Sequence, residues 1–359
     1  MRVLISGGGT GGHIYPALAV AQALSEIDPG GEVLYVGRKG GIEEEIASGW
    51  PVTMEGLAIR GVEEEAWRNL PLAYALPAAV VRTRGLIRRF KPDAVLGTGG
   101  YVTAPVGIAA ASSRVPFFLQ EQNAEPGRTT KLLARRARMV ASAYDETAGH
   151  LPGTTVVRTG TPVRPEFRPP ARDISALRHL VVFGGSQGAH RINLALVESL
   201  KPVLEEHADM TVDHVCGARD HDWLHSFRSG LPADLADRYV LQPFVERIDR
   251  LLGSADLVLA RAGGSGIAEM TAMGLPMILV PFPFAGEHQR HNAEPLVATG
   301  AAVMVRDREL SGAQVTSIIK SFRKPDGGER LSRMAAASRA FGRPDAARDV
   351  ARLLLERAA

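Results

Sequence analysis

Short apolar runs that alternate with amphipathic helical patterns along the chain predict an α/β protein of two doubly wound, Rossmann-like domains facing a cleft. Two further observations carry the prediction. The alternation stops at a Pro- and Arg-rich stretch from Thr159 to Arg172 and then restarts, and both halves open on the same strand, glycine-rich loop and helix. The length of 359 residues suits two cores, because a single core stops growing at about 250–300 residues.

In the first half the runs predict strands at Val3–Ile5, Val33–Val36, Ala94–Leu96, Phe117–Leu119 and Met139–Ser142. Ile14, Ala17, Leu18, Ala21 and Leu24 fall on one face of the helix between the first two. The second half repeats the pattern at Leu180–Phe183, Val212–Val215, Tyr239–Leu241, Leu257–Ala260, Met277–Val280 and Ala302–Val305. In such sheets ligands bind outside the carboxyl ends of the strands, where the glycine loops fall.

Composition narrows the function. Hydrophobic residues make up 45% and charged residues 23%, as in an ordered globular protein. A net charge of +3 is too mild for a nucleic-acid binder, though it allows a local basic patch. One cysteine, Cys216, leaves no partner for an intramolecular disulfide and no Cys-rich metal site, which fits a reducing cytoplasm. The first residues, MRVLIS, read as a strand, so no secretory signal is expected. No segment approaches the roughly 20 apolar residues of a membrane-spanning helix, so any membrane contact is expected to be peripheral.

The chemistry sits in the loops. Gly7-Gly8-Gly9-Thr10-Gly11-Gly12 and Gly184-Gly185-Ser186-Gln187-Gly188-Ala189 each follow a strand, and Gly97-Thr98-Gly99-Gly100-Tyr101 adds a third loop. Glycines let backbone amides approach an anion at a helix N-terminus. The first loop also matches the dinucleotide fingerprint, which keeps an NADP-dependent reductase open. The acidic residue expected after the second strand is replaced by Gly37-Arg38-Lys39. His13 closes the first loop at a helix start, where the helix dipole is expected to lower its pKa and keep it neutral, as a general base requires. Arg261-Ala262-Gly263-Gly264-Ser265-Gly266 forms a further anion nest, and Glu269 one turn on is suited to both hydroxyls of a ribose. Glu287 to Asn292 contains two histidines but lacks the spacing and third ligand of a zinc site, so no metal is expected.

Seven motifs occur in one order: Gly7 to His13, Gly99-Gly100-Tyr101-Val102, Glu121-Gln122-Asn123-Ala124, Gly160-Thr161-Pro162-Val163-Arg164, Gly184 to Ala189, Arg261-Ala262-Gly263 with Glu269, and Gln289 with Asn292. Over nearly the whole chain they closely resemble the MurG family. These bacterial enzymes transfer N-acetylglucosamine from its UDP sugar to lipid-linked muramyl-pentapeptide, the step from lipid I to lipid II in peptidoglycan synthesis.

The resemblance implies a GT-B fold and an inverting, metal-independent glycosyl transfer that needs no cofactor. It places the enzyme peripherally on the cytoplasmic face of the plasma (inner) membrane. Its implied partners are UDP-N-acetylglucosamine, undecaprenyl-diphosphate-linked muramyl-pentapeptide, an anionic membrane surface and other cell-wall synthesis proteins, with no nucleic acid. Residues 1–163 then form the acceptor and membrane-side domain, 164–340 the UDP-sugar domain, and 341–359 a helix placed back on the first.

By the same resemblance, Arg164 and the backbone near Phe244 and Val245 flank the uracil, and Glu269 meets the ribose. Ser186, Gln187, Arg261, Gly264, Ser265 and Gly266 lie at the donor diphosphate, and Gln289 at the sugar hydroxyls. Gly11, Gly12, Gly99, Gly100, Tyr101 and Asn123 receive the acceptor, while Thr10, Gly11, Gly12 and Asn123 also reach the donor. His13 is the preferred base and Glu121 the alternative. Asn193 matches a further family position, where helix packing is an equally good reading.

Some positions depart from the family pattern: Gln120 stands for a histidine, Thr130 and Thr161 for asparagines, Gly266 for threonine and His288 for glutamine. Trp67, Leu70, Leu72, Leu76, Val80, Ile87 and Phe90, interleaved with or followed by Arg82, Arg84, Arg88, Arg89 and Lys91, suit a membrane-docking face or a core-facing basic helix. Two other readings stay open: a non-catalytic nucleotide-sugar binding subunit and a UDP-sugar epimerase on a similar two-domain scaffold.

Overall fold

The computed structural model describes residues 1–60, 72–185, 187–283 and 287–358. Ser186, Trp67 and Leu70, and the side chain of Leu72, lie outside that description. The chain divides into two compact units, one of Met1–Pro165 with Arg343–Ala359 and one of Glu166–Gly342.

Unit 1 runs β1 (Arg2–Ser6), α1 (Gly11–Ile27), β2 (Glu32–Arg38), α2 (Ile42–Ala47), β3 (Thr53–Leu57), α3 (Leu72–Phe90), β4 (Ala94–Gly97), α4 (Thr103–Ser112), β5 (Phe117–Glu121), α5 (Arg128–Leu133), β6 (Met139–Ser142) and β7 (Val156–Arg158). The seven strands are parallel in the order β3-β2-β1-β4-β5-β6-β7. The order reverses beside β1, so the loops after β1 and β4 diverge there and open the crevice in which such sheets bind ligands.

Both faces of this sheet are covered, which is why its inner strands read as unbroken apolar runs. One face carries Val3, Ile5, Leu96 and Phe118 against Ile14, Ala17 and Leu18 of α1. The other carries Leu4, Val95 and Leu119 against Leu86 and Ile87 of α3 and Val106 of α4. Each fully buried Leu, Ile or Val side chain stabilises the fold by about 1.5–3 kcal/mol. The chain's last helix, Ala346–Arg357, packs on α1 and adds Val350, Ala351 and Leu354 to the first of these cores.

Unit 2 runs β8 (His179–Phe183), α6 (His190–Glu206), β9 (Thr211–Val215), α7 (His221–Ser229), α8 (Ala233–Ala236), β10 (Tyr239–Gln242), α9 (Ile248–Ser254), β11 (Leu257–Ala260), α10 (Gly264–Ala272), β12 (Met277–Leu279), α11 (His288–Ala298), β13 (Ala302–Met304), α12 (Gly312–Phe322) and α13 (Gly327–Phe341). Its six parallel strands lie in the order β10-β9-β8-β11-β12-β13. This order again reverses beside its first strand, and the second glycine loop and the Arg261–Gly266 segment leave from the two strands at that point.

Candidate active site

In unit 1 the loop after β1 is clamped from several sides. Tyr35 on β2 donates its hydroxyl to the Gly7 carbonyl at 2.6 Å, and the Gly9 amide donates to Glu43 Oε1 on α2 at 2.8 Å. The loop after β4 closes on it: the Thr98 amide donates to Ser6 O at 2.8 Å and its hydroxyl to His13 O at 2.6 Å. Two glycines permit this approach. Gly99 and Gly100 have φ of 100° and 76°, and a β-carbon on Gly100 would stand 2.0 Å from the Gly8 carbonyl oxygen. The Tyr101 ring lies where a β-carbon on Gly9 would be, 2.8 Å from its nearest ring carbon.

His13 is the third residue of α1 and is half-buried. Its Nδ1 lies 3.0 Å from Thr98 O and 2.5 Å from the carboxamide of Gln122, while no described residue hydrogen-bonds Nε2. Its pKa lies below 6.5. The lowering expected at the helix start is present; its largest cause is burial, which penalises the imidazolium, against the opposing pull of the Glu121 charge and the Thr98 carbonyl. The neutral ring is thereby favoured.

Glu121 ends β5 and is buried. Its Oε1 accepts from the backbone and side-chain amides of Asn123, both at 3.0 Å, and its Oε2 accepts from the Gly127 amide at 3.0 Å. The carboxylate thereby braces the turn between β5 and α5. Tyr101 is half-buried, and burial raises its pKa, with Glu43 reinforcing and Arg38 opposing the rise. Thr10 stands exposed at the N-cap of α1, and its hydroxyl makes no capping bond. Tyr15, next to Gly11 in the following turn, lies under the Arg164 guanidinium at 5.1 Å, so Arg164 belongs to this unit.

In unit 2 the glycine loop after β8 leads into α6, with Gln187 exposed. Beneath the loop, Gly188 fits against Cys216, where a β-carbon would meet the carbonyl oxygen at 2.2 Å. Asn193 secures that floor. Its amide nitrogen donates to Cys216 O at 3.0 Å and Asp220 Oδ2 at 2.7 Å, and its Oδ1 faces His214 Nε2 at 2.9 Å. Asn193 is fully buried, with its carboxamide spent on these three partners.

The second nest starts at α10, whose N-cap is Gly263. Added β-carbons at Gly263 and Gly266 would meet no atom of the described residues within 4 Å. Arg261 is held by other partners: its Nη1 pairs with buried Asp307 and donates to Val280 O at 3.2 Å. Gln289 Oε1 accepts from the Ala262 amide at 3.1 Å and the Phe282 amide at 2.9 Å, and Asn292 Nδ2 donates to Ala262 O at 3.2 Å. With its oxygen engaged, Gln289 presents its amide hydrogens. Glu269 is half-buried on α10, Val245 is half-buried and Phe244 is 64% exposed.

The structure thus gathers His13, Gly99, Gly100, Tyr101, Glu121 and Asn123 in unit 1, and Arg261, Gly264, Ser265, Gly266 and Gln289 around one strand end in unit 2. Sequence reading missed Glu43, Thr98, Gln122 and Asp307. Thr98 and Gln122 fell inside recognised motifs, whereas nothing local pointed to Glu43 or Asp307. Among the described residues no group of three or more His, Cys, Asp or Glu is placed to hold a metal ion.

The model of the glycosyltransferase family 28 N-terminal domain matches residues 3–142, and that of the C-terminal domain matches residues 179–350. A Moorella thermoacetica protein named UDP-N-acetylglucosamine--N-acetylmuramyl-(pentapeptide) pyrophosphoryl-undecaprenol N-acetylglucosamine transferase is 42% identical, covering 99% of each chain. A protein of the same name from Desulforudis audaxviator is 39% identical over 96% of this chain and 95% of its own. The chain belongs to the MurG family of glycosyltransferases. The crystal structure of Acinetobacter baumannii MurG is similar at 27% identity, with a TM-score of 0.78 and 99% of each chain covered. A UDP-GlcNAc 2-epimerase from Neisseria meningitidis shares the fold alone, with 14% identity and a TM-score of 0.70. The MurG-family assignment makes this a GT-B glycosyltransferase and removes the reductase and epimerase readings.

Proposed function

We propose that the chain transfers N-acetylglucosamine from UDP-N-acetylglucosamine to the 4-hydroxyl of undecaprenyl-diphosphate-linked muramyl-pentapeptide, with His13 as general base. The observation that carries the base assignment is the anchoring of the His13 ring at Nδ1 with no described residue hydrogen-bonded to Nε2, and burial lowers the pKa of the ring, which favours its neutral form. Nε2 takes the proton of the acceptor hydroxyl while its oxygen bonds to the anomeric carbon. The bond from that carbon to UDP breaks on the opposite face, and the product is the β-glycoside. Amides at the α10 N-terminus, including Gly264, Ser265 and Gly266, take up the charge of departing UDP. The names of the Moorella and Desulforudis relatives support the substrate pair.

Within this reading Glu121 is a brace: its buried carboxylate is held by three hydrogen bonds within its own turn, and His13 serves as the base. Arg261 supports the donor site through the loop that it ties to Asp307. Gln289 offers its amide hydrogens to a sugar hydroxyl, Glu269 the ribose contact, and Gly99, Gly100 and Tyr101 the acceptor diphosphate.

The membrane contact lies on the outer side of α3. Leu76, Val80, Ile87 and Phe90 pack inward on the core, which leaves Tyr74 and Val81, 82% and 66% exposed, on the same helix as exposed Arg88 and as Arg82 and Arg89, which share one carboxylate, Glu55. These suit attachment to an anionic surface. No described helix is long and apolar enough to cross a membrane.

UDP release from UDP-N-acetylglucosamine, measured with a lipid-linked muramyl-pentapeptide analogue and with or without EDTA, tests the reading. Release is expected to depend on the acceptor and to survive EDTA. Release independent of acceptor overturns the transfer, and loss with EDTA overturns its metal independence. His13→Ala is expected to lower turnover by roughly 10²–10⁴-fold with UDP affinity retained.

A further inference from the structure

We propose that Gln122 is a positioning residue whose carboxamide oxygen shares the Nδ1–H of His13 with the Thr98 carbonyl, and so holds the ring's orientation and reinforces its tautomer. The inference rests on the reading of His13 as base.

His13 Nδ1 has two polar neighbours, Thr98 O at 3.0 Å and the Gln122 carboxamide at 2.5 Å. A carbonyl oxygen only accepts, so the proton of the neutral ring belongs on Nδ1. The carboxamide atom facing that N–H must then be an acceptor too. The two ends of a carboxamide are told apart by their partners, and this partner selects the oxygen. With nitrogen toward the ring, Gln122 Oε1 would be buried with no hydrogen-bond partner among the described residues. Turning the amide over gives that oxygen the Nδ1–H donor and moves Nε2 to the place where no described residue pairs with it, so the Nδ1 proton is what selects the orientation.

The backbone around Gln122 is suited to hold such a contact. Gln122 is 4% exposed, and the residues on either side of it are joined by the Glu121 carboxylate. The Gly127 amide secures the other carboxylate oxygen. An Nδ1–H shared by Thr98 and Gln122 leaves the lone pair on Nε2, the nitrogen that takes the hydroxyl proton. The other tautomer would set an N–H there and could not act as the base.

Imidazole ¹⁵N NMR of the full-length protein at about pH 8, above the unperturbed histidine range, reads the tautomer directly, with His13→Ala assigning the signal. The expected result is protonated Nδ1 and unprotonated Nε2 in the wild type. Gln122→Met is expected to raise the Nε2–H population and lower kcat about tenfold or more, with the KM for UDP-N-acetylglucosamine unchanged. Gln122→Glu, which keeps an acceptor there, should retain Nδ1–H and recover most of kcat. An Nε2–H ring in the wild type overturns the proposal, as does wild-type kcat in Gln122→Met. Full turnover in His13→Ala overturns the base assignment instead. A dead His13→Ala beside an unaffected Gln122→Met overturns the Gln122 role alone. Should Gln122→Met fail to fold, Gln122→Glu decides: retained Nδ1–H with most of kcat supports the role, and a tenfold or greater loss of kcat overturns it.

Discussion

The Gly9 amide donates to the buried Glu43 carboxylate at 2.8 Å, so a negative charge already sits on the loop proposed to receive an acceptor diphosphate. A hydrogen bond to a charged group contributes about 1.5–3 kcal/mol, and Glu43→Ala should destabilise unit 1 by that order in a denaturant titration. Glu43→Gln keeps an acceptor and removes the charge. Repulsion of about 1 kcal/mol would be relieved, which lowers the acceptor KM roughly fivefold. A KM that stays constant or rises would show that the carboxylate does not oppose the diphosphate.

Gly99 offers a separate test of how tightly the His13 ring is confined. Its φ is 100°, and a β-carbon there would stand 2.7 Å from His13 Nδ1. Gly99→Ala is expected to cost about 1–3 kcal/mol of stability for the backbone conformation alone. It should also displace the ring and cut kcat more than tenfold, because small misplacements of a reacting group are expensive in rate. Normal turnover in a folded Gly99→Ala protein would show that the ring tolerates displacement.

Much of this was legible in the sequence because the inner strands are covered on both faces, which forces unbroken apolar runs such as Val3–Ile5 and Leu257–Ala260. β3 and β7 escaped for the converse reason. They are the outermost strands of their sheet, and Thr53-Met54-Glu55-Gly56-Leu57 buries only Leu57. At the site, the glycine loops were visible because close backbone approach restricts the residue type. Glu43 was not, since Glu43-Glu44-Glu45 reads as a solvated first helical turn and only tertiary packing sends the first of them inward. The Asp307 partner of Arg261 was not legible either, because it lies far off in sequence and only the fold brings it against the guanidinium.

His214 gives unit 2 an acid sensitivity with a defined sign. It is fully buried, with Nδ1 at 2.8 Å from the Tyr239 hydroxyl and Nε2 at 2.9 Å from Asn193 Oδ1, and burial depresses its pKa to about 3. The unfolded chain therefore binds a proton below about pH 6.5 that the folded chain refuses until about pH 3. Stability falls through that window, by about 2 kcal/mol from this residue at pH 5. His179 acts in the opposite sense. Burial disfavours its charge, but Asp213 at 2.6 Å, Ser254 O and Asp256 outweigh that and raise its pKa above 6.5. Its contribution is fully present below pH 6.5 and is lost as pH rises through the raised value. Stability curves of the wild type and His214→Gln between pH 5 and 8 should therefore converge toward the acid end. Parallel curves would remove His214 as the acid-sensitive group.

Gln120 is a polar side chain in an apolar position. It is fully buried on β5, in register with Ala141 on β6 and on the same sheet face as Phe118. Neither its Oε1 nor its Nε2 has a hydrogen-bond partner among the described residues. A buried group left in that state costs about 1–3 kcal/mol, and an apolar residue of similar shape avoids the penalty. Gln120→Met is close in volume and flexible enough to follow the existing space. It should raise the denaturation midpoint of unit 1 with no loss of UDP affinity. A histidine, which the family pattern places here, would bring its own two ring nitrogens into the same apolar surroundings. Gln120→His should therefore lie below Gln120→Met in stability. The reverse order would show that polar atoms at this position are satisfied in solution, and that position 120 is kept polar for the site above it.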